Sequence, residues 1–254
     1  MRLTVLYGPS VANDFVVGSL VATHPAVVVR EEQSALDVVR RAWRRRRDTV
    51  RARLDKLAFF AVYAVALRRR TERTLRQRLG PHPAVPPGAT VRRADAALEL
   101  VRAARPELVL ALGTSILSAA WSTLGAPIVN VHVGIAPRYR GRFCWFWPLL
   151  EGRPEDVGVT LHLVTARVDA GPIVAQRRVP PTSLGSRSFA DVLAAVTLVA
   201  RDLCEELLAD PTARVRAATP PSVADGAHSA YLEPGLSDYL RYARLVRDQD
   251  ARRT

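Results

Sequence analysis

The sequence has little of what marks several large protein classes. Its two cysteines, Cys144 and Cys204, lie far apart, which argues against a disulfide framework and against a zinc site with the usual ligand spacing. No apolar run reaches the roughly 18 to 20 residues that cross a bilayer. Residues 1–7 resemble a first strand more than a signal peptide. We therefore expect a cytoplasmic protein without a metal site.

Overall disorder is excluded by composition. Apolar residues make up 48% of the 254-residue chain, which is normal for a globular protein. The length fits one large domain or a domain with a small appendage. We expect a main domain at residues 1–210 and a C-terminal extension at residues 211–254.

Lysine is almost absent, and the positive charge is concentrated in one stretch. Of the net charge of +13, +12 lies in residues 40–78, where fourteen arginines and Lys56 outnumber three acidic residues. Between the arginines, Leu57–Leu67 is apolar on all sides for about three helical turns. The pattern predicts a basic helical hairpin inserted at residues 34–79.

Three interpretations of this insertion stay open. Its apolar middle can pack on the domain or on a second copy of the chain, as in a homodimer, with the arginines in solvent. Alternatively, it can contact a membrane surface or another anionic partner, since arginines attract phosphate groups. RNA binding is the third interpretation, and it is the weakest because no aromatic stacking platform is interleaved with the arginines.

Short β-branched segments alternate with longer helical patterns, which is typical of an α/β fold with a mostly parallel central sheet. The predicted strands are Leu3–Tyr7, Ala26–Val29, Thr90–Arg93, Leu108–Leu112, Ile128–His132, Gly158–Val164 and Ile173–Val179. The predicted helices cover residues 10–22, 34–55, 57–79, 96–104, 115–124, 187–209 and 236–246. Residues 80–88, rich in proline and glycine, must form a connector.

Polar side chains alternate with apolar ones along the strand Ile128–His132. Val129 and Val131 point to one face, which places Asn130 and His132 together on the other, near the carboxyl end of the strand. Ligands bind at that edge in open parallel sheets. By itself this pair is weak support for a site, because a lone histidine in a strand is often a hydrogen-bonded core residue.

A second alternating strand follows. Thr160 and His162 share one of its faces, and the loop after it contains Asp169 just before an Ala-Gly-Pro turn. Such a turn could hold a carboxylate beside the sheet edge, where it would favour the imidazolium form of His132. An ordinary turn aspartate is the alternative interpretation.

Together these residues resemble a known family. Four motifs occur in order: Asn130-x-His132, the loop Ala136–Gly141, the strand Gly158-x-Thr160-x-His162, and Asp169-Ala-Gly-Pro-Ile-x-x-Gln176. They are similar to those of the 10-formyltetrahydrofolate-dependent formyltransferases, which act on glycinamide ribonucleotide, methionyl-tRNA and sugar amines. The resemblance covers roughly residues 90–205 and implies a Rossmann-like formyltransferase fold whose catalytic domain is the main domain.

The resemblance also implies roles for particular residues. Asn130, His132 and Asp169 fall on the family's catalytic trio, with His162 as a supporting partner on the neighbouring strand. An amide can stabilise an oxyanion, and an imidazole paired with a carboxylate can move protons. The donor implied is 10-formyltetrahydrofolate. Its predicted contacts are Ser115, Ile116, Leu117, Thr165, Val168 and Asp169, although many relatives carry Arg or Lys where this chain has Ser115.

The acceptor is the amine that receives the formyl group. Differences from two branches of the family narrow its possible identity. The first turn, Gly8–Asp14, has one glycine and a proline, whereas the glycinamide ribonucleotide branch has a glycine-rich phosphate loop there. The methionyl-tRNA branch appends a C-terminal barrel of roughly a hundred residues, and only residues 211–254 follow here. We therefore expect a small amine, such as an amino sugar or a biosynthetic intermediate.

Predicted acceptor contacts lie in the loop after the first catalytic strand. They are Arg138, Tyr139, Arg140 and Trp145, with a buried aromatic cluster as the alternative for the tryptophan. By position, Tyr231 and the helix from Leu236 could close over the acceptor. Two other functions stay open: a formyltetrahydrofolate hydrolase, in which water replaces the amine, and an RNA- or membrane-binding module on the same fold.

Overall fold

A seven-stranded sheet organises the chain. The computed structural model describes residues 1–32, 49–222 and 230–251. The strands are β1 (Leu3–Tyr7), β2 (Ala26–Glu31), β3 (Ala89–Val91), β4 (Leu108–Leu112), β5 (Ile128–His132), β6 (Gly158–Leu163) and β7 (Ile173–Arg178). Their order in the sheet is β3-β2-β1-β4-β5-β6-β7.

The sheet changes from parallel to antiparallel at β5. Strands β1 to β5 pair in parallel, whereas β6 and β7 pair in antiparallel fashion at one edge. The central strands β1 and β4 are buried along their whole length and almost wholly apolar, as parallel strands covered on both faces require. The predicted mostly parallel sheet is confirmed, and every predicted strand boundary lies within two residues of the observed one.

Helices flank the sheet on both sides. They are α1 (Val11–Thr23), α2 (Val50–Val62), α3 (Arg68–Leu79), α4 (Leu98–Ala103), α5 (Trp147–Leu150), α6 (Phe189–Ala209), α7 (Pro211–Arg216) and α8 (Leu236–Ala251). Serine side chains cap two of the longer helices: Ser10 accepts a hydrogen bond from the Asn13 N–H of α1, and Ser188 accepts one from the Asp191 N–H of α6.

The basic stretch differs from the sequence prediction. A break between helices at residue 56 was expected, but α2, a π-helical turn at Tyr63–Leu67 and α3 form one continuous helical segment. The reason is that residues 50–79 contain no glycine or proline to interrupt a helix. The first arm of the predicted hairpin falls mostly on residues 33–48, which lie outside the described residues.

A second difference concerns the predicted helix at residues 115–124. Only Ala119–Leu124 is helical, as a 3₁₀ segment. Upstream, the Ser115 N–H donates to the Glu31 carboxylate at 2.7 Å, and the Ser118 N–H donates to the Asp95 carboxylate at 3.0 Å. These long-range acceptors satisfy the backbone without a helical turn, and they leave residues 113–118 as a loop at the end of β4.

Apolar side chains cover both faces of the sheet. The larger cluster lies between the sheet and α1, α3 and α6, and the smaller one lies under α4 and the Ala119–Leu124 segment. Successive residues of β1 point to opposite faces, so Val5 belongs to the larger cluster and Leu6 to the smaller one. In the described part of the chain, each helix falls short of the length and apolar character needed to cross a membrane.

The basic helical segment packs by its apolar side. Phe59, Leu75 and Leu79 are buried in the larger cluster, and α8 packs against α2 and α5. Arginines such as Arg69 and Arg73 are exposed. Residues 50–79 therefore pack on the domain by one side only, since Val65, in the apolar middle, is 87% exposed.

We expect Leu207→Ala in α6 to lower the free energy of unfolding by about 2–5 kcal/mol, because the side chain is 1% exposed and its removal leaves a cavity. Leu54→Ala, the same change at a position that is 55% exposed, should cost less than about 1 kcal/mol. Urea unfolding of both variants measures the difference. Equal losses would contradict the placement of α6 in the core.

Candidate active site

Four polar side chains share one face of the sheet where β5 meets β6. Asn130 lies opposite His162, and His132 lies opposite Thr160, in the antiparallel register. The alternate residues Val129, Val131, Val159 and Leu161 belong to the larger apolar cluster on the other face. Alternation along two adjacent strands thus gathers an amide, two imidazoles and a hydroxyl.

Asp169 reaches this group from the loop after β6. Its backbone has a φ of +48°, a left-handed conformation that aspartate tolerates better than most residues. One carboxylate oxygen, Oδ1, accepts a hydrogen bond from Asn130 Nδ2 at 3.3 Å and lies 3.3 Å from His162 Nε2. The other, Oδ2, lies 3.5 Å from His132 Nδ1. The structure therefore brings Asn130, His132 and His162 together around the Asp169 carboxylate.

Backbone groups complete the arrangement. His132 Nε2 lies 2.6 Å from the Tyr139 carbonyl oxygen, and His162 Nδ1 lies 3.0 Å from the Leu163 carbonyl oxygen. The Gly141 N–H donates to Asp169 Oδ2 at 2.9 Å. Each histidine therefore has a carbonyl acceptor at one ring nitrogen and Asp169 at the other.

Burial has the largest influence on the acid–base behaviour of this group. Burial lowers the pKa of His132 below its ordinary value, since Asp169 and the Tyr139 carbonyl raise it by less. Burial alone would raise the pKa of Asp169, but His132, His162 and the Gly141 N–H lower it to about 2. The expected attraction between Asp169 and His132 is present, but burial outweighs it in the free protein.

Thr160 and Gln176, both part of the sequence motifs, brace the turn after β5. Thr160 Oγ1 donates to the Gly134 carbonyl oxygen at 2.7 Å and accepts from the Ala136 N–H at 3.1 Å. Gln176 Nε2 donates to the Ala136 carbonyl oxygen at 2.8 Å and to Thr160 Oγ1 at 2.9 Å. The chain is thereby fixed as it leaves His132.

The predicted folate contacts lie on two loops that adjoin. Leu117 from one loop and Val164, at the start of the other, both pack against the smaller apolar cluster. Ile116 is 72% exposed and Val168 is 41% exposed, and Thr165 is exposed as well. Exposed apolar side chains on these two loops fit a flat ring system.

Ser115 is engaged within the protein. Its N–H binds Glu31, and its hydroxyl accepts a hydrogen bond from the Ala94 N–H at 3.2 Å. In this position, the residue supports the loop that carries Ile116 and Leu117.

The four predicted acceptor contacts differ in burial: the two aromatic residues are buried, and the two arginines are partly exposed. Trp145 is 6% exposed and packs edge-to-face on Phe189 with the ring centres 4.5 Å apart; this is the buried aromatic cluster of the alternative interpretation. Tyr139 is fully buried. Arg138 lies 3.8 Å from Asp156, and Arg140 is half-buried. The aromatic residues of this loop are thus mainly structural, because the turn directs them inwards.

Sequence reasoning missed the backbone groups of Tyr139 and Gly141 and the carboxylate of Glu151. Glu151 accepts hydrogen bonds from the Tyr139 hydroxyl at 2.9 Å and from the Tyr231 hydroxyl at 2.7 Å. Tyr139 and Gly141 belong to the Pro-Arg-Tyr-Arg-Gly loop motif, which was the available signal for them. No spacing in the sequence links Glu151 to Tyr231, which lies 80 residues further along the chain.

Comparison with known proteins places the chain in a family. Residues 46–186, more than half of the chain, match the Formyl transferase family. The chain therefore belongs to the formyltransferases and is an enzyme of formyl transfer, as the motifs predicted. The family's formyl donor is 10-formyltetrahydrofolate.

Solved structures share the fold. A Shewanella sp. sugar N-formyltransferase is 15% identical, with a TM-score of 0.54, over 96% of this chain and 88% of its own. A Mycobacterium tuberculosis protein to which sugar N-formyltransferase activity is ascribed is 19% identical, with a TM-score of 0.57, over 96% and 87%. The phosphoribosylglycinamide formyltransferase of Streptococcus pneumoniae is 19% identical, with a TM-score of 0.52, over 82% and 98%.

The low pKa of Asp169 makes a testable contribution to stability. A carboxylate with a depressed pKa stabilises the fold above its unfolded pKa, and this contribution is lost as the pH falls through the folded pKa. The gap in unfolding free energy between wild type and Asp169→Asn should therefore narrow by about 1 kcal/mol from pH 5 to pH 3. Urea unfolding at both pH values measures it.

Asp202→Asn serves as the matched control for this prediction. The side chain of Asp202 is 44% exposed and pairs with its neighbour Arg201, so its replacement should cost less than about 0.5 kcal/mol at both pH values. A constant gap for Asp169→Asn between pH 5 and pH 3 would contradict the environment described for this carboxylate.

Proposed function

We propose that this enzyme formylates the nitrogen of a small amine, with Asn130, His132 and Asp169 as its catalytic residues. The proposal rests on the convergence of an amide, an imidazole and a carboxylate on one sheet face. Asn130 Nδ2 and His132 Nδ1 each lie within 3.5 Å of an Asp169 carboxylate oxygen. Bound 10-formyltetrahydrofolate supplies a formyl carbon that the amine attacks. The protein must then stabilise negative charge on an oxygen and carry protons between two nitrogens.

Asn130 is proposed to stabilise the negative charge. In the free protein its Nδ2 donates to Asp169 Oδ1 and lies 3.1 Å from His162 Nε2. An amide that already faces this group can turn one N–H to an oxygen that gains charge during the reaction. Removing such a donor typically lowers the rate about 10² to 10³-fold.

His132 and Asp169 are proposed to move the protons. Opposing influences act on His132, since burial disfavours the charged ring while Asp169 and the Tyr139 carbonyl favour it. Such a ring can take up a proton and release it again as charge develops beside it. Asp169, with a pKa of about 2, stays ionised and compensates the imidazolium. His162 supports the carboxylate from the neighbouring strand.

The folate is proposed to lie along the two adjoining loops. Ile116, Leu117 and Val168 supply apolar contacts, and the loop from Thr165 to Asp169 supplies peptide groups. Ser115 holds the first of these loops through its bonds to Glu31 and Ala94. This assignment places the reacting carbon near Asp169, which belongs to one of the same loops.

An amino sugar is the first acceptor class to test. The Shewanella sugar N-formyltransferase aligns over nearly the full length of both chains, whereas the Streptococcus pneumoniae enzyme leaves more of this chain unmatched. Arg138 and Arg140 carry positive charge at the loop after β5 and are proposed to contact the acceptor. Residues 1–210 form the catalytic domain in this proposal, with residues 211–254 as an extension.

The exposed arginines of α3 are proposed as a secondary contact for an anionic partner. Arg69, Arg73 and Arg76 are exposed on the helix surface that faces away from the core. Phosphate groups of a membrane surface or of another macromolecule complement such a surface. A cytoplasmic enzyme that associates peripherally with a membrane fits this charge distribution.

Incubation of the protein with 10-formyltetrahydrofolate and a panel of amines tests the proposed reaction. The panel contains amino sugars, free and nucleotide-linked, and small primary amines. We expect one class to gain the mass of a formyl group. Steady formate release that no amine changes would instead identify a hydrolase and overturn the proposal.

We expect Asp169→Asn to lower turnover at least about 10²-fold, because the imidazolium of His132 loses its counter-charge. Asp202→Asn, the same change at a surface position, should keep turnover within about twofold. The measurement is the initial rate with the amine found in the screen. Near wild-type turnover in Asp169→Asn would remove this carboxylate from the mechanism.

A further inference from the structure

The loop Tyr139–Arg142, here named the support loop, supplies two backbone groups to the candidate active site. The Tyr139 carbonyl oxygen lies 2.6 Å from His132 Nε2, and the Gly141 N–H donates to Asp169 at 2.9 Å. Neither contact depends on the side chain of the residue that makes it. The geometry of the imidazole and the carboxylate therefore depends on where this loop is held.

Tyr231, from the C-terminal extension, holds the support loop by its backbone. Its N–H donates to the Arg140 carbonyl oxygen at 2.7 Å, and its carbonyl oxygen accepts from the Arg142 N–H at 3.0 Å. The Arg140 carbonyl and the Gly141 N–H belong to one peptide unit. That unit is therefore bound at one end by Tyr231 and at the other by Asp169, and hydrogen bonds in such a chain polarise one another.

Gly141 makes this close approach feasible. Its φ is +103°, a conformation that favours glycine. A Cβ at this position would collide with the backbone of Tyr231. The glycine of the loop motif is thus explained by the contact with the extension.

The side chain of Tyr231 holds the same loop a second time. Its ring stacks between Tyr139 and Trp147, with ring centres 5.4 Å apart in both pairs. Its hydroxyl and that of Tyr139 donate to the two oxygens of the Glu151 carboxylate. The neighbouring Glu233 carboxylate accepts from Arg142 at 2.9 Å. Ring, hydroxyl and backbone contacts therefore all converge on the support loop.

We propose that Tyr231 is a positioning residue that holds the support loop so that Tyr139 and Gly141 keep His132 and Asp169 in their reactive arrangement. It acts through the loop, and its ring is occupied by Tyr139 and Trp147. The catalytic consequence rests on the proposed function. The structural consequence, a changed environment of His132, does not.

The contacts and the burial of His132 both depend on the support loop. The Tyr139 carbonyl and Asp169 raise the pKa of His132, while burial and His162 lower it; the buried Cys144 thiol lies close by. A loosened support loop weakens the two favourable contacts. It also weakens the opposing effect of burial where water reaches the ring, so the pH at which His132 takes up a proton should change.

Nuclear magnetic resonance of the full chain labelled with ¹⁵N-histidine tests the proposal. The chain has five histidines, and the His132→Asn variant assigns the ring of interest. In Tyr231→Ala, we expect the midpoint of the His132 titration to shift by at least about 0.5 pH unit relative to wild type. Tyr231→Phe retains the ring stack and the backbone bonds and should recover most of the shift.

Two further variants make the outcome decisive. Val196→Ala disturbs α6 in the larger cluster, on the opposite face of the sheet, and should leave the His132 midpoint unchanged. Glu151→Ala removes an exposed acceptor of both tyrosine hydroxyls, and should shift the midpoint by a smaller amount even where Tyr231→Ala does not fold. An unchanged midpoint in Glu151→Ala and in any folded Tyr231→Ala, or an equal shift in Val196→Ala, would overturn the proposal.

Turnover adds the catalytic readout. With the amine found in the screen, Tyr231→Ala should lower kcat about tenfold and leave the KM for 10-formyltetrahydrofolate within about twofold. A raised KM with unchanged kcat would overturn the positioning role. A shifted His132 midpoint in a protein that transfers no formyl group would support the structural part and refute the proposed function alone.

Discussion

The candidate active site depends on the compensation of one buried charge, the ionised carboxylate of Asp169. A buried carboxylate is costly unless hydrogen bonds and opposite charge compensate it. Here Asn130 and the Gly141 N–H donate to it, and His132 and His162 face it with their rings. Each of these groups contacts the charge that it compensates. The site is therefore a network with one acceptor at its centre.

The antiparallel edge of the sheet is what makes this network feasible. In the parallel part, strands such as β1 and β4 are covered on both faces and have almost wholly apolar side chains. At β5 and β6 one face keeps its apolar cover, while the other carries Asn130, His132, Thr160 and His162. Asp169 lies on the loop that joins β6 to β7, and its carboxylate contacts Asn130 and His132 on that face.

The C-terminal extension contributes to both stability and the site. Its helix α8 packs against α2 and α5, and Tyr242 is buried in the larger cluster. Upstream of that helix, Tyr231 binds the support loop by its backbone and its ring. The basic segment is tied to the same region, since Asp55 of α2 accepts hydrogen bonds from Ser237 at the start of α8. Elements outside the sheet therefore support the residues within it.

The sequence by itself determined the alternation of strands and helices, the mostly parallel sheet and the family, because periodicity and short motifs are local properties of the chain. It also placed Asn130 with His132 and Thr160 with His162, since side chains two residues apart in a strand share a face. Trp145 was ambiguous, and only the packing of Phe189 against it decided that it belongs to the core. The predicted break at residue 56 was wrong because nothing in residues 50–79 ends a helix.

The tertiary structure alone decided how the candidate catalytic groups are held. The hydrogen bonds from Gly141 to Asp169, and between His132 and the Tyr139 carbonyl, use backbone atoms that every residue type has, so residue identity does not reveal them. The contact of Tyr231 with Glu151 joins residues 80 positions apart. The net effect on the pKa of His132 was likewise undetermined, because a motif can indicate a neighbouring carboxylate but not the degree of burial that opposes it.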